Sequence, residues 1–151
     1  ELCGTWHSRM PIEVDVVSEE KYNAWVDEQK SVMLASAAEA SADRDWTKDE
    51  LMEKGMAEYN TKCASCHQIT GQGLPPAFPA LKGSALVTGP LQGHLDIVLN
   101  GKPGTAMVAW NTLNDLELAA IITYERNAWG NDTGDVVQPR DIKAARSLAV
   151  K

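Results

Sequence analysis

Cys63-Ala64-Ser65-Cys66-His67 places two thiols at a two-residue spacing and an imidazole directly after the second thiol. The Cys-x-x-Cys-His pattern is typical of covalent haem attachment. One turn of chain can bring both thiols to the two vinyl groups of haem, where each forms a thioether, and the adjacent histidine supplies a nitrogen to the iron. The segment therefore predicts one covalently bound c-type haem.

Two other uses of this segment fit the rest of the chain less well. A zinc ribbon needs a second pair of ligands at similar spacing, and the remaining candidates are the distant Cys3, His7 and His94. A thioredoxin-like dithiol needs a strand followed by a helix. Here a predicted helix leads into Cys63, and a loop rich in Gly and Pro follows the motif.

The ligand on the opposite side of the iron determines what the haem can do. Downstream of the motif, His94 and Met107 carry suitable donor atoms, and Met107 is the only methionine there. Met107 lies in a flexible segment between two predicted helices, although a methionine can also fill a gap in a core. His94 lies among helical core residues and is expected to be a hydrogen-bonded or surface histidine. We expect Met107 to be the ligand, because its segment lets the side chain approach the iron from the face opposite His67. Ligation by His and Met raises the reduction potential and leaves no open position on the iron, which suits transfer of single electrons.

The rest of the sequence predicts helices joined by loops. Capping boxes at Thr47/Glu50 and Asn114/Glu117 mark two helix starts, and apolar residues at helical spacing mark the inward faces. A period-two pattern over 11–17 predicts one short strand. The predicted helices cover about 19–30, 47–62, 90–100, 114–129 and a short stretch after Pro139, with one helical turn near Ser84 in an irregular loop over 68–89.

Residues 48–130 resemble a class I cytochrome c domain. The matching features are an N-terminal helix, the Cys-x-x-Cys-His segment, a Gly- and Pro-rich loop, Met107, and a C-terminal helix with Tyr124 on its inward face. The resemblance implies an all-α class I cytochrome c fold around one covalent haem. It also implies that the first and last helices cross beside the haem, so that Met56 or Tyr59, both on the predicted apolar stripe of the first helix, packs near Tyr124.

In that family the carbonyl of a proline accepts the Nδ1 proton of the proximal histidine, and this bond fixes the ring and tunes the iron. Pro79, in the segment Phe78-Pro79-Ala80-Leu81, matches that proline best, while Pro75 and Pro76 stay open as alternatives. The haem-binding residues implied by the resemblance are Cys63, Cys66, His67, Pro79, Leu81, Met107 and Tyr124.

The first ten residues resemble a different metal motif, the end of the binuclear copper-A motif in subunit II of haem-copper cytochrome c oxidases. The resemblance implies Cys3, His7 and Met10 as copper ligands, with the backbone carbonyl of Glu1, and soft sulfur with imidazole suits copper. The family also needs a Cys before Glu1, a His further upstream and a many-stranded cupredoxin sandwich. We therefore expect that this chain alone is a fragment that does not bind copper, and that Cys3 is a free thiol prone to intermolecular pairing.

This second resemblance implies a membrane-anchored subunit with the cytochrome c domain fused after the copper-A domain, at the periplasmic or outer face of the membrane. We assign residues 1–30 to a remnant of the cupredoxin domain (strand plus helix), 31–46 to a linker and 47–151 to the cytochrome c domain. Electrons would pass from a donor cytochrome to the haem, then to copper-A and to oxidase subunit I. The chain alone would be an electron carrier, and the parent complex a proton-pumping oxidase.

Composition limits the other partners. The 151-residue chain has a formal net charge of -7, so nucleic acid and anionic lipid would repel it. Its longest nearly apolar run, 118–124, is far shorter than the ~20 residues that cross a bilayer, and its start does not read as a signal peptide, so we expect a soluble chain. Lys62, Lys82 and Lys102 can ring the haem edge and steer an acidic partner, or be ordinary solvated lysines.

Three further functions stay open. An independent soluble class I cytochrome c would show the same haem motif without the copper-A resemblance. A haem peroxidase or gas sensor would need a vacant sixth position on the iron. A structural interaction module would carry the motif without haem.

Overall fold

The computed structural model describes residues 14–42 and 44–148, and its regular structure is helical. The chain divides into two compact units after Glu39. None of the described helices is long and apolar enough to span a membrane. The helices are α1 Glu19–Ala40, α2 Lys48–Lys62, α3 Ala64–His67, α4 Ala85–Thr88, α5 Leu91–Asn100, α6 Asp115–Asn127 and α7 Pro139–Leu148.

The structure differs from the sequence-based prediction near its start. Helix α1 does not end near residue 30 but continues to Ala40, because the stretch that follows is rich in Ala and other residues with high helix propensity. The predicted strand over 11–17 is wrong where the structure describes it, since 14–17 form neither helix nor strand. A strand needs a neighbour to pair its backbone groups, and the described residues contain no other strand. The domain limits 1–30, 31–46 and 47–151 stay a prediction.

Both predicted capping boxes are confirmed. The Thr47 hydroxyl accepts a hydrogen bond from the Glu50 backbone N–H at 3.3 Å, and the Glu50 carboxylate accepts one from the Thr47 N–H at 2.9 Å. Asn114 and Glu117 exchange the equivalent bonds at 2.9 and 2.8 Å. These local bonds satisfy backbone donors that the first helical turn leaves unpaired, and they fix the starts of α2 and α6.

Helices α2 and α6 cross in very close contact at Gly55. A Cβ atom added there would lie 2.1 Å from the Ala120 carbonyl oxygen and 2.6 Å from the Tyr124 Cβ. Tyr59 lies one turn further along the same face and is fully buried. Met56, predicted on that stripe, is 47% exposed. Met56 directly follows Gly55, and one residue turns the helix by about 100°, which points Met56 away from α6.

The C-terminal segment closes the core of the second unit. Ile142 and Ala145 of α7 are buried in the core cluster that includes residues of α2, α5 and α6. Just before α7, the Gln138 side-chain amide exchanges two hydrogen bonds with the backbone of Trp46, each 2.9 Å long. The segment before α2 and the segment before α7 are therefore joined, although they are 92 residues apart in sequence.

Candidate haem site

The Cys-x-x-Cys-His segment forms a helical turn at the end of α2. The backbone N–H of Cys63 donates to the Tyr59 carbonyl, so α2 delivers the chain directly into the motif. Residues Ala64–His67 then form α3, in which the His67 N–H donates to the Cys63 carbonyl at 2.9 Å. Both Cys63 and Cys66 are unpaired thiols with partly buried side chains. One helical turn thus presents two thiols and an imidazole together, which is the donor set for covalent haem.

The imidazole of His67 is oriented by a backbone carbonyl. Its Nδ1 lies 3.0 Å from the carbonyl oxygen of Pro79, and the ring is 9% exposed. Because a carbonyl oxygen can only accept, Nδ1 must carry the proton, which leaves Nε2 as the free donor for a metal. Of the three prolines considered from sequence, the structure places Pro79 against His67.

Gly73 makes this approach possible. Its φ is +64°, and an added Cβ would lie 2.4 Å from the Phe78 carbonyl oxygen and 2.6 Å from the Pro79 carbonyl oxygen. The Gly73 N–H donates to the His67 carbonyl at 2.9 Å. The segment around Pro79 therefore packs directly on Gly73, and a side chain there would displace the carbonyl that holds His67.

Three aromatic rings pack where α2, α6 and the loop after the motif meet. The Tyr59 ring centroid lies 5.5 Å from that of Tyr124 and 4.9 Å from that of Trp129. The contact of Tyr59 with Tyr124 confirms the helix crossing expected from the sequence. Trp129 was not anticipated, although an aromatic residue directly before Gly130 was a visible signal. The Tyr59 hydroxyl donates to the Gln68 carbonyl at 2.7 Å and Trp129 Nε1 donates to the Ile69 carbonyl at 3.0 Å, so the cluster fixes the chain that leaves the motif.

Met107 lies in the loop between α5 and α6, with a partly buried side chain. The Lys102 N–H donates to the Met107 carbonyl at 2.9 Å, and the Thr105 hydroxyl accepts from the Met107 N–H at 3.2 Å. The Trp110 N–H donates to the Val98 carbonyl at 3.0 Å, which ties the end of this stretch to α5. These bonds therefore hold Met107 in a defined backbone position.

His94 does not belong to this donor set. The ring is 1% exposed, and its Nε2 lies 2.8 Å from a carboxylate oxygen of Glu125 on α6. Its Nδ1 finds no hydrogen-bond partner in the described part of the chain. The prediction of a hydrogen-bonded histidine is confirmed. Among residues 14–42 and 44–148, no group of three or more His, Cys, Asp or Glu side chains is arranged to hold a metal ion.

Glu125 influences Cys63 of the motif and the nearby Tyr59 electrostatically. Burial raises the pKa of the Cys63 thiol well above its usual value, and the Glu125 carboxylate adds to that rise. Burial and Glu125 also raise the pKa of the Tyr59 hydroxyl. Both groups are therefore neutral at physiological pH. The sequence signal for Glu125 was an acid at helical spacing inside the apolar stripe of α6.

The remaining predicted site residues are placed as follows. Leu81 is partly buried, and its backbone N–H donates to the Gly71 carbonyl at 2.8 Å. Lys62 forms ion pairs with Glu58 and Glu117, whereas Lys82 and Lys102 are exposed. The predicted copper ligands Glu1, Cys3, His7 and Met10 lie outside the described residues.

Known proteins resemble the part of the chain that holds the motif. Residues 50–124 match the family described as cytochrome C oxidase, cbb3-type, subunit III. Cytochrome c-552 of Thermus thermophilus is 34% identical over 91 residues, which cover 50% of this chain and 68% of that protein. The chain belongs to the cytochrome c family. It is accordingly an all-α class I cytochrome c with a covalent haem c, and its activity is electron transfer.

Two further similarities differ in extent. Cytochrome c55X of Stutzerimonas stutzeri is 40% identical over 82 residues, which cover 54% of this chain and 65% of that protein. Cytochrome c oxidase subunit 2 of Vanderwaltozyma polyspora is 62% identical over 29 residues, which cover 19% of this chain and 12% of that protein. The chain thus spans between 12% and 68% of the lengths of the three relatives.

The described residues fit the haem that the family requires. Cys63 and Cys66 are unpaired, His67 offers Nε2, and two apolar side chains of the loop that follows, Ile69 and Leu74, are 69% and 51% exposed. A covalent porphyrin would cover such apolar side chains.

Proposed function

We propose that this cytochrome c domain relays single electrons within a cytochrome c oxidase, as part of its subunit II. In this proposal Cys63 and Cys66 form the thioethers, His67 Nε2 and the Met107 sulfur hold the iron, and the haem passes electrons from a donor cytochrome to copper-A. The observation that carries the site assignment is the 3.0 Å contact of His67 Nδ1 with the Pro79 carbonyl, because it leaves Nε2 free for iron.

The protein's contribution is to hold and shield the redox centre, while the haem iron supplies the change of oxidation state. The Pro79 carbonyl fixes the plane and tautomer of the His67 ring. The aromatic cluster of Tyr59, Tyr124 and Trp129 fixes the chain beside the motif. A rigid surrounding would change little if a bound iron gained or lost an electron, and such small reorganisation favours fast transfer.

Optical spectra test the axial ligands. The wild-type protein should show sharp c-type bands on reduction, a weak sulfur-to-iron band when oxidised, and no change of the reduced spectrum with carbon monoxide. Met107→Ala should lose the weak band, bind carbon monoxide and have a lower reduction potential, since a methionine ligand raises that potential. Met56→Ala is the matched control, because Met56 is 47% exposed on α2 and should leave all three properties unchanged.

Two outcomes would contradict the proposal. Carbon monoxide binding by the wild-type protein would mean an open sixth position and would favour a haem peroxidase or gas sensor. A colourless product from cells that mature c-type haem would favour a structural module. In either case the assignment of Met107 as a ligand would be abandoned.

The assignment to subunit II is supported by two observations on the chain. Residues 1–10 contain Glu1, Cys3, His7 and Met10 at the spacing of the copper-A motif end. In addition, a protein named cytochrome c oxidase subunit 2 is 62% identical over 29 residues. We propose accordingly that residues 1–30 belong to the copper-A domain, 31–46 to a connection and 47–151 to the haem domain, at the periplasmic or outer face of the membrane.

Immunoblots test this larger assignment. An antibody against the 151-residue chain, combined with haem staining of the same gel, should detect a much larger polypeptide in the membrane fraction of the source cells. A band of about the chain's own size in the soluble fraction would instead support an independent electron carrier. The similarity to cytochromes c-552 and c55X favours that second candidate.

Stopped-flow mixing tests the relay itself. The reduced chain is mixed with an oxidised soluble copper-A domain, and in parallel with a blue-copper protein of similar net charge as control acceptor. Complementary docking should make electron transfer to the copper-A domain at least about tenfold faster than transfer to the blue-copper control. Equal rates with both acceptors would show that the haem domain has no preference for copper-A.

A further inference from the structure

We infer that Arg146 of α7 is a positioning residue that holds the Met107 loop in place to bond the haem iron. The inference rests on the proposed ligation by Met107 and adds a residue that lies outside the family match over 50–124. Arg146 is far from the motif in sequence, and no local pattern around it indicates a role in electron transfer.

The guanidinium of Arg146 binds the segment that follows the Met107 loop with all three of its nitrogen atoms. Nε donates to a carboxylate oxygen of Asp115 at 2.8 Å, Nη1 donates to the Asn111 carbonyl at 2.7 Å, and Nη2 donates to the Leu113 carbonyl at 2.6 Å. The side chain of Arg146 is 29% exposed and that of Asp115 is 30% exposed. A planar group with fixed donors is required to reach three such acceptors at once.

These bonds form the far end of a frame around Met107. At the near end, the Lys102 N–H donates to the Met107 carbonyl at 2.9 Å. In the middle, the Trp110 N–H donates to the Val98 carbonyl at 3.0 Å, and the partly buried Trp110 packs against the core. Beyond Trp110, two of the next carbonyls are held by Arg146. The segment that runs from Met107 into α6 is therefore anchored to α5 on one side and to α7 on the other.

The frame matters because a methionine sulfur is a weak ligand that competes with water, hydroxide and added bases for the iron. A loop that is already held in place loses little conformational freedom when its sulfur binds. Removal of Arg146 would leave the Asn111 and Leu113 carbonyls without these charged donors and would loosen the loop. The sulfur would then be displaced more easily, although the fold could persist.

The test uses the complete haem-containing chain with Arg146→Gln, Arg146→Lys and the control Arg140→Gln. Arg140 lies on the same helix and pairs with Asp45, and its side chain is 67% exposed. The measurements are the sulfur-to-iron band of the oxidised protein, the pH at which this band disappears, and the affinity for added imidazole. Urea unfolding of each variant is recorded in parallel.

Arg146→Gln should lose the band at a lower pH than wild type and bind imidazole about tenfold more tightly, since loss of charged hydrogen bonds is an effect of that order. The imidazole affinity of Arg146→Lys should lie between those of wild type and Arg146→Gln, because one ammonium can replace part of the contacts. Arg140→Gln should behave as wild type in all three measurements, even if its unfolding midpoint falls by a similar amount.

Equal imidazole affinities in the Arg146→Gln, Arg140→Gln and wild-type proteins would overturn the inference. If Arg146→Gln fails to mature, Arg146→Lys alone decides, and a wild-type band and affinity in Arg146→Lys with reduced stability would also overturn it. Failure of the proposed function is distinguishable, because the wild-type protein itself would then lack the sulfur-to-iron band.

Discussion

One hydrogen bond determines how the imidazole of His67 can act. Because the Pro79 carbonyl accepts the Nδ1 proton at 3.0 Å, the ring has a fixed tautomer and a fixed orientation. Such a bond also makes the other nitrogen a stronger base, which favours the oxidised state of a bound iron. The position of the carbonyl depends in turn on Gly73, whose missing side chain leaves room for the segment 78–79.

Gly73→Ala should therefore change the properties of the haem as well as the stability of the fold. The new Cβ would collide with the Phe78 and Pro79 carbonyls, and the weakened His67 bond should raise the reduction potential. Gly83→Ala is the matched control, because Gly83 has a φ of +67° against +64° for Gly73, but no heavy atom lies within 4 Å of its added Cβ.

Both substitutions should cost roughly 1–2 kcal/mol of stability for the left-handed backbone. Only Gly73→Ala should lose a further ~2 kcal/mol of stability from the collision, and only this variant should have a changed reduction potential. Potentiometric titration and urea unfolding give the two values. A shared change in potential for Gly73→Ala and Gly83→Ala would argue against the link from Gly73 to His67.

The buried pair of His94 and Glu125 gives a second prediction at the scale of single residues. Glu125→Ala would leave His94 Nε2 without its partner inside a packed core. Nδ1 of the same ring already has no hydrogen-bond partner among the described residues. Removing one member of a buried pair costs about 3–5 kcal/mol. We expect a loss of about 3 kcal/mol in the free energy of unfolding, measured with urea.

Asp96→Ala is the control for this change, since Asp96 lies on α5 near His94 in sequence and its carboxylate accepts an exposed hydrogen bond from Asn100. It should cost less than about 1 kcal/mol. Equal losses in Glu125→Ala and Asp96→Ala would mean that the buried pair contributes no more than a surface hydrogen bond.

At the scale of helices, the contact between α2 and α6 determines where the haem motif lies. Gly55 lets the two helices approach until backbone touches backbone, and the aromatic cluster fills the space beside this crossing. A side chain at Gly55 would force the helices apart, because the nearest atom, at 2.1 Å, is the Ala120 carbonyl oxygen and cannot rotate away. The end of α2 carries Cys63, so the displacement would reach the motif.

Gly55→Ala should consequently destabilise the protein by at least about 2 kcal/mol and lower the yield of haem attachment. Gly93→Ala tests the same exchange within a helix, on α5, where the added Cβ meets Leu86 Cδ1 at an ordinary 3.6 Å. That control should stabilise by about 0.5–1 kcal/mol, since alanine favours the helix. The measurements are thermal unfolding and haem content per polypeptide; unfolding of Gly55→Ala at the wild-type temperature would contradict the assigned crossing.

At the scale of the whole molecule, several of the features predicted correctly have local causes. The capping boxes and the turn of haem-binding residues follow from spacing along the chain, whereas the contact of Tyr59 with Tyr124 was implied by the family resemblance. The contacts of Gln138 with Trp46 and of Arg146 with Asn111 were not predictable, because each joins residues far apart in sequence through backbone groups that every residue has. The prediction for Met56 was wrong because the sequence alone does not distinguish an apolar residue on the inward face of α2 from one beside that face.

Asp135 predicts how the whole molecule responds to acid. Burial opposes its ionisation, but hydrogen bonds from Arg126 and Thr133 outweigh burial and lower the pKa of Asp135 below the usual 3.8. Arg126 also donates to the Val87 and Gly89 carbonyls, so this carboxylate supports the contact of α6 with α4 and with the residue that follows it. The hydrogen bond from Arg44 lowers the pKa of Glu50 to about 2, which acts in the same direction at the start of α2.

A carboxyl group whose pKa is lower in the folded state stabilises the protein above its unfolded pKa, and this contribution is lost as the pH falls through the folded value. Asp135→Asn should therefore be less stable than wild type at about pH 7, and the difference should shrink as the pH falls below the usual value of 3.8. Because the Asp135 side chain is 41% exposed, we expect roughly 1 kcal/mol. Urea unfolding of both proteins at each pH measures this difference in the free energy of unfolding. Asp96→Asn is the surface control. A difference that persists unchanged at low pH would show that Asp135 acts through packing and not through its charge.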